Sequence, residues 1–564
     1  MAELKRRTLK DLLGNSVTRY SERPALSMVN SRPITYKELG EQAETLSRIL
    51  HKRGITAGDR VAILSENNPN WGISFFAITT IGAVAVPILP DFHLNEVQHI
   101  LRHSGSKAIF ISQKQFNKLE EFNSESLATV FLIEDFSIIP PETTLEKLRN
   151  ILKDGASEYN KLKEAALKMV GLMMSEVQEN DLAVINYTSG TTGHSKGVML
   201  SHKNLVFDAL ATLKIQPIKH TDRLLSILPL SHSYEGTIGF LIPMLCGACV
   251  YYLDKPPVAK VLLPAMQTVK PTMMLTVPLI MEKLYKVKIL PKFTHSLLMR
   301  SLFGIPLLRR FFHRMAARKV YNQFGGALHF YGIGGALLSP EVELFLREGK
   351  FPYAIGYGLT ETSPLIAGSS PDKTRYRSTG IVLPGVEVKI ENPDPKTGEG
   401  EIIVRGDNVM IGYYKDPERT AKVLSPDGWF KTGDLGILDK NGYLYIKGRL
   451  KNVIVGPSGE NIYPEQIESL INRVDYVLES LVYLSQKLLI AKVHLNYEEL
   501  DREFQGKKLT ETQISSIISD KLENLRQSIN SNISAYSRIH KMVEQPEPFE
   551  KTPTKKIKRY LYIH

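Results

Sequence analysis

The densest chemistry in the chain lies in Tyr187-Thr188-Ser189-Gly190-Thr191-Thr192-Gly193-His194-Ser195-Lys196-Gly197. This stretch joins two apolar runs with strand character, Leu182 to Tyr187 and Val198-Met199-Leu200. Such a loop offers bare backbone N–H groups, four aliphatic hydroxyls before Gly193 and one lysine. An oligophosphate needs exactly such groups: short donors, no bulk and a mobile cation. The loop is not a Walker P-loop, because Gly197 rather than Ser or Thr follows Lys196. A flexible linker rarely sits between two apolar strands. Gly193 to Gly197 also matches the G-x-S-x-G elbow of serine hydrolases, a weak alternative, since that elbow needs a helix directly after it.

Two glycine clusters follow strand signals: Gly332-Ile333-Gly334-Gly335-Ala336 and Gly356-Tyr357-Gly358-Leu359-Thr360-Glu361-Thr362. Backbone there could line a planar base, Tyr357 could stack on it, and Glu361 could hold Mg²⁺ through oxygen. Further on, Asp434 is a lone carboxylate in Lys431-Thr432-Gly433-Asp434-Leu435-Gly436, suited to accept from both hydroxyls of a ribose, and Arg449 could add a second contact. Cys246 and Cys249 have C-x-x-C spacing but lie inside an apolar run with no second pair. They read as two buried thiols rather than a zinc or redox site.

The elements that must position these residues alternate strand and helix over the first 450 residues. Thr35 caps a helix with Leu39, Ala43, Leu46 and Leu50 on its apolar face, and Gly54 ends it. Strands are predicted at Arg60 to Leu64, Leu182 to Tyr187, Leu224 to Leu228, Met273 to Val277 and Leu328 to Tyr331. Helices run from Ser201 through Leu213 and from Ser339, with Pro340 in its first turn. The alternation predicts an α/β fold of parallel, helix-covered sheets. From Val386 to Gly412 short alternating strands predict a barrel-like region, and after Gly448 a separate small α+β unit follows. Gly236 to Leu253 carries no charge, but Gly247 and Val250-Tyr251-Tyr252 favour a helix followed by a buried strand over a membrane span.

The chain has 564 residues, 43% hydrophobic and 23% charged, which excludes disordered and fibrous classes and leaves material for several cores. Two cysteines in this length exclude a disulfide scaffold and fit a reducing compartment. Met1 to Arg7 runs into polar sequence, unlike a secretory signal. Lys and Arg outnumber Asp and Glu by 71 to 59. Much of the excess lies between Lys283 and Gly325, with ten basic residues and no acidic one. No nucleic-acid-binding motif accompanies it, so no nucleic acid is expected.

Taken together and in this order, the segments resemble the adenylate-forming (ANL) superfamily of acyl-CoA synthetases, firefly-luciferase-type enzymes and peptide-synthetase adenylation domains. The resemblance covers the chain from about Pro24 to Arg559. It implies a large N-terminal domain, 1–450, of two parallel sheets plus a distorted β-barrel, and a small mobile C-terminal domain, 451–564. By the same resemblance Thr188, Ser189, Gly190, Thr191, Thr192, Gly193 and Lys196 grip the ATP phosphates. Gly334, Gly335, Ala336 and Tyr357 hold adenine, with Gly358 in the same nucleotide set. Thr360 and Glu361 bind phosphate and Mg²⁺, Asp434 holds ribose and Arg449 assists. Lys451 matches the interdomain hinge. Gly459, Glu460 and Asn461 match the loop facing the active site during thioester formation. Lys556 matches the adenylation lysine, with Lys555 the alternative. The chain departs from the family in having Ser195 where Pro is usual and Lys555 where Gly is usual.

Leu228-Pro229-Leu230-Ser231-His232-Ser233-Tyr234-Glu235 resembles the long-chain fatty-acid branch, where this segment borders the acyl pocket and the thiol route. His232 there is a gate or positioning residue, and Thr188, Glu361 and Lys556 complete the catalytic set. An amino-acid-activating domain would also place a carboxylate near Glu235. The resemblance implies long-chain fatty acid–CoA ligase activity through an acyl-adenylate, with ATP and CoA as co-substrates and Mg²⁺ as cofactor. Acyl carrier protein is the alternative acceptor, and another carboxylic acid the alternative substrate. Leu307, Leu308, Phe311, Phe312 and Met315 recur at helical spacing among Arg309, Arg310, Arg314 and Arg318. That pattern suits either an anionic membrane surface, through residues 283–319, or a solvated helix face. The expected location is cytoplasmic, with peripheral contact at the inner face of the membrane.

Overall fold

The computed structural model describes residues 4–122, 124–140, 143, 176–188, 195–455, 461–474, 476–486, 488–504, 510–552 and 557–563. The chain forms two compact units. The first comprises residues 1–389, 403–431 and 439–444, and the second 390–402, 432–438 and 445–564.

Two large sheets organise the first unit. One has eight strands in the order Gly412–Tyr413, Lys196–Ser201, Leu182–Thr188, Val84–Ile88, Arg60–Leu64, Ala108–Ile111, Thr129–Leu132 and Ile138–Ile139. Its centre is parallel and its two edges are antiparallel. The central strands are continuous apolar runs because helices bury both of their faces. The other sheet has seven strands, parallel except where Pro24–Met28 meets Ile34–Thr35.

Local chemistry sets the helix ends. Thr35 caps Tyr36–Lys52 and exchanges bonds with Glu38 in a capping box. Such a cap contributes about 1 kcal/mol. Leu39, Ala43, Leu46 and Leu50 of that helix are all buried. Ser201 and Asn204 form an equivalent box at the start of His202–Ile215. The uncharged stretch from Gly236 folds as a π-helix, Tyr234–Leu241, a short α-helix, Ile242–Cys246, and a strand, Cys249–Tyr252. Gly247 makes the turn with φ +75°. Among the described residues no helix is long and apolar enough to cross a membrane.

Four expectations need correction. No sheet closes into a barrel among the described residues. Val386–Glu391 and Gly400–Gly406, in the region where the barrel was expected, instead lie side by side in a four-stranded sheet with Phe430–Leu438 and Leu444–Arg449. Short alternating strands signal antiparallel pairing, but closure needs a matched tilt and stagger that spacing does not report. The predicted strand Leu328 to Tyr331 is shifted to Phe330–Ile333, and Leu224 to Leu228 ends at Ser226. Of the two cysteines only Cys249 is fully buried, Cys246 being half-buried. Burial pushes both thiols up to about 12, so neither is a thiolate at neutral pH.

The second unit packs Pro464–Ile471 and Glu511–Asn530 around Ile467, Ile471, Val482, Val493, Leu522 and Leu525. The sheet against them pairs Val477–Ser485 antiparallel with Leu488–Leu495, which in turn pairs parallel with Lys541–Glu544.

Candidate active site

The hairpin made by Leu182–Thr188 and Lys196–Ser201 sets Thr188 directly opposite Lys196, so the two ends of the hydroxyl-rich loop share one base. Ser189, Gly190, Thr191, Thr192 and Gly193 lie outside the described residues. Thr188 Oγ1 and Ser195 Oγ are buried and have no hydrogen-bond partner among the described residues. Buried hydroxyls are normally satisfied, so two orphans at the loop base mark a place for a polar ligand.

Lys196 and Glu361, 165 residues apart in sequence, meet at this base with Nζ 2.6 Å from Oε1. A third residue, Tyr413, closes the cluster. Its hydroxyl accepts from Lys196 Nζ at 2.7 Å and donates to Glu361 Oε1 at 2.9 Å. Lys196 Nζ also lies 4.3 Å from the centre of the Tyr413 ring. Strand register explains the meeting. Tyr413 pairs with Val198, and Lys196 is two residues along the same strand, hence on the same face. Burial works to raise the Glu361 pKa, but Lys196 outweighs it and holds the carboxyl below the ordinary range. Burial and the Glu361 charge push Tyr413 upward, so its hydroxyl stays a donor. The sequence reading missed Tyr413. The available signal was an aromatic residue directly after Gly412, where the strand pattern ended.

The glycine clusters lie at strand ends. Gly334 follows Phe330–Ile333, and a Cβ there would come within 3.1 Å of the Tyr234 ring. Gly335 and Ala336 are exposed and Tyr357 is half-buried. A Cβ on Gly358 would sit 1.9 Å from the Pro364 carbonyl oxygen, so no other residue fits that approach. Thr360 begins the short 3₁₀ turn carrying Glu361, and Ser233 Oγ lies 3.4 Å from its hydroxyl. That contact links the turn to the π-helix segment. His232, half-buried just before that helix, accepts a 3.3 Å hydrogen bond at Nδ1 from the Tyr234 N–H.

Beside the π-helix is an apolar cavity of about 20 Å³ lined by Trp71, Phe75, Val184, Asn186, Thr237 and Phe240, among others. That volume is roughly one water. Phe240 packs edge-on to Trp71 at 5.9 Å and tilted against Phe76 at 5.3 Å. Glu235 points elsewhere. It is buried, and its Oε1 accepts from Ser226 Oγ at 2.5 Å. Its Oε2 has no partner among the described residues. Burial pushes this carboxyl up to about 8, leaving it mostly neutral at pH 7. A neutral, enclosed carboxyl is a poor counter-ion for a substrate amine.

In the second unit Asp434 is buried, with Oδ1 2.8 Å from Arg449 Nε. Its N–H donates to Thr432 Oγ1 at 3.1 Å. Lys451 is exposed in the turn Leu450–Asn452. Asn461 pairs through its backbone with Val455, while Gly459 and Glu460 lie outside the described residues. So do Lys555 and Lys556, but the chain on either side is held. Lys551 bridges to Ile557, and Arg559 donates to both oxygens of Glu468 at 2.7 and 3.0 Å.

Residues 13–414 match the AMP-binding enzymes. A chloroplastic long-chain-fatty-acid–[acyl-carrier-protein] ligase of Arabidopsis thaliana, AEE15, is 28% identical over 88% of this chain and 77% of its own length. Long-chain-fatty-acid–CoA ligase 5 of Rattus norvegicus is 29% identical over 93% of this chain and 82% of its own. The crystal structure of the anthranilate CoA ligase AuaEII with anthranoyl-AMP superposes with a TM-score of 0.76 over 100% of this chain and 97% of that one. At 20% identity it speaks for the fold alone. With residues 13–414 matched to that family, and with Lys196 and Glu361 in contact, the chain belongs to the AMP-binding enzyme family, the adenylate-forming superfamily.

Proposed function

We propose that this chain is an AMP-forming acid–thiol ligase that activates long-chain fatty acids with ATP and passes the acyl group to CoA. The observation that carries the reading is the 2.6 Å contact of Lys196 with Glu361 at the base of the hydroxyl-rich loop. That contact supports the reading, because a cation suited to phosphate and an oxygen suited to a hard metal lie together there. The relatives named above act on long-chain fatty acids, and the cavity beside the π-helix is apolar. Glu235, bonded to Ser226, does not line that cavity and so offers it no counter-ion for a substrate amine. At about 20 Å³ the cavity must open to take an acyl chain, by displacing Phe240 from Trp71 and Phe76.

In the first half-reaction the fatty carboxylate attacks the α-phosphorus of ATP and pyrophosphate leaves. No protein nucleophile takes part. The protein orients the reactants and neutralises charge. Lys196 leaves Glu361 for the leaving phosphates, Thr188 and the 189–193 hydroxyls donate to them, and Tyr413 keeps both ends of the exchange in place. Glu361 and the orphaned Thr188 hydroxyl suit Mg²⁺, which binds through one or two carboxylates and substrate phosphates. When bound, Mg²⁺ neutralises phosphate charge. Gly334, Gly335, Ala336, Tyr357, Gly358 and Thr360 form the nucleotide site, with Asp434 and Arg449 for the ribose. Lys556 reaches the carboxylate and α-phosphate oxygens when domain 451–564 folds over domain 1–450. That domain then turns about Lys451, bringing Gly459, Glu460 and Asn461 to the thiol route beside His232. The thiol attacks the acyl carbon and AMP leaves.

Acyl carrier protein is the second acceptor, favoured by the Arabidopsis relative. AMP release from a long-chain acid, measured with CoA and with carrier protein, tests the acceptor. CoA-stimulated release is expected, and release stimulated by carrier protein alone would reassign it.

A further inference from the structure

The helix Pro306–Gln323 has two unlike faces. Its inner face is fixed: His313, Ala317 and Val320 are buried, and Phe312 stacks on Phe293 at 5.2 Å. Arg309 donates to both oxygens of Glu348, at 2.9 and 3.1 Å, and His313 Nδ1 lies 2.8 Å from the same carboxylate. Arg309 and Phe312 therefore leave the outer row in which their spacing had placed them. With roughly 100° per residue, the direction opposite the buried face falls on Phe311 and Met315.

That outer face is apolar at its centre. Leu307, Phe311 and Met315 are 75%, 60% and 53% exposed, and Leu297 and Leu298 of the adjoining helix Leu297–Gly304 are 82% and 70% exposed. Arg310, Arg314 and Arg318, spaced by four, run beside the apolar row and are all exposed. Arg310 Nε lies 3.7 Å from Glu348, while Arg314 and Arg318 make no ion pair among the described residues. With no acidic residue from Lys283 to Gly325, the patch is both apolar and uniformly basic.

We propose that this face docks on an anionic lipid bilayer. Leu297, Leu298, Leu307, Phe311 and Met315 enter the boundary between headgroups and acyl chains, while Arg310, Arg314 and Arg318 pair with lipid phosphates. Charge complementarity selects the occupant. A second copy docked by two-fold symmetry would set arginine rows against each other. An acidic protein would satisfy the arginines but leave five large apolar side chains against a polar surface. A bilayer satisfies both. The inference rests on the fatty-acid reading only for its purpose, delivery of a lipid substrate.

The test is co-sedimentation of the full chain with phosphatidylcholine vesicles, with and without phosphatidylglycerol. Binding is expected only with phosphatidylglycerol and should weaken from low to physiological salt, where the screening length is about 8 Å. Replacing Arg310, Arg314 and Arg318 with Gln should weaken binding at least ~10-fold. Replacing Leu307, Phe311 and Met315 with Ser should do so by a similar ~10-fold even at low salt. Unchanged thermal unfolding of both variants is the folding control. Equal vesicle binding by wild type and variants overturns the proposal. So does an apolar variant that changes the oligomeric state, or one that loses an acidic carrier protein while the wild type ignores vesicles. Pyrophosphate–ATP exchange with fatty acid, run without vesicles, is a separate readout. Its failure removes the fatty-acid reading and leaves the docking result standing.

Discussion

Glu361 and Glu235 are both buried in the first unit, yet their ionisation is shifted in opposite directions. Glu361 has a lysine at 2.6 Å and a tyrosine hydroxyl at 2.9 Å, and ionises below the ordinary range despite burial. Glu235 has one serine hydroxyl, and burial pushes it up to about 8. The partner decides, not the depth. Lys196 and Glu361 thus keep an anion–cation pair of the kind a phosphate can exchange into, whereas Glu235 has no cation beside it. Their pH signatures are opposite as well. Glu361 stabilises the fold above its unfolded pKa, and that contribution is lost as pH falls through its depressed folded value. Glu235, with its folded value raised, costs stability as pH rises from the ordinary carboxylate range toward about 8.

The largest expected effect comes from removing the cation that distinguishes the two carboxylates. Lys196→Ala should slow pyrophosphate–ATP exchange by ~10²–10³-fold, about 3–4 kcal/mol, as for loss of one donor to developing charge. Lys556→Ala should match it in exchange while sparing thioester formation from supplied acyl-adenylate. Lys555→Ala is the control, and loss there with sparing at Lys556 would shift the tail assignment by one residue.

Glu235→Gln sharpens the other side of the comparison. Wild type should lose stability relative to the variant by about 1.4 kcal/mol per pH unit between pH 5 and 7. Thermal unfolding of both proteins across that range checks it, and parallel curves would mean that Glu235 is ionised in the fold. The smallest effect belongs to Tyr413→Phe, which keeps the ring over Lys196 but removes the hydroxyl that bonds both charges. Exchange should fall ~10-fold, since hydrogen bonds to charged groups contribute about 1.5–3 kcal/mol. The loss should appear mainly in kcat if Tyr413 serves the exchange of Lys196 from Glu361 to phosphate, and in neither constant if its role is confined to the strand edge.

Residues with strong local signals were legible in the sequence. Thr35 and Ser201 cap helices where their spacing predicts, and Arg60–Leu64 is the predicted strand. Tertiary partners decided the rest. The run from Leu224 leaves its sheet after Ser226, where Asn67 Nδ2 donates to the Leu228 carbonyl at 2.6 Å and its Oδ1 accepts from the Leu230 N–H at 2.8 Å. Phe330–Ile333 includes Gly332 because strands on both sides pair with it, which outweighs glycine's poor strand propensity. Lys196 and Glu361 were each visible as chemistry, but their meeting through Tyr413 depends on the Tyr413–Val198 register, which no local pattern carries. For the same reason the helix Pro306–Gln323 was legible as amphipathic and basic, but not which arginines it spends on Glu348.

The central claim is that a charged phosphate site and an uncharged acyl site act on one substrate pair. Pyrophosphate–ATP exchange across a panel of long-chain fatty acids, amino acids and short aryl acids tests it most directly. The account predicts exchange with the long-chain acids; exchange confined to amino acids or aryl acids would contradict it.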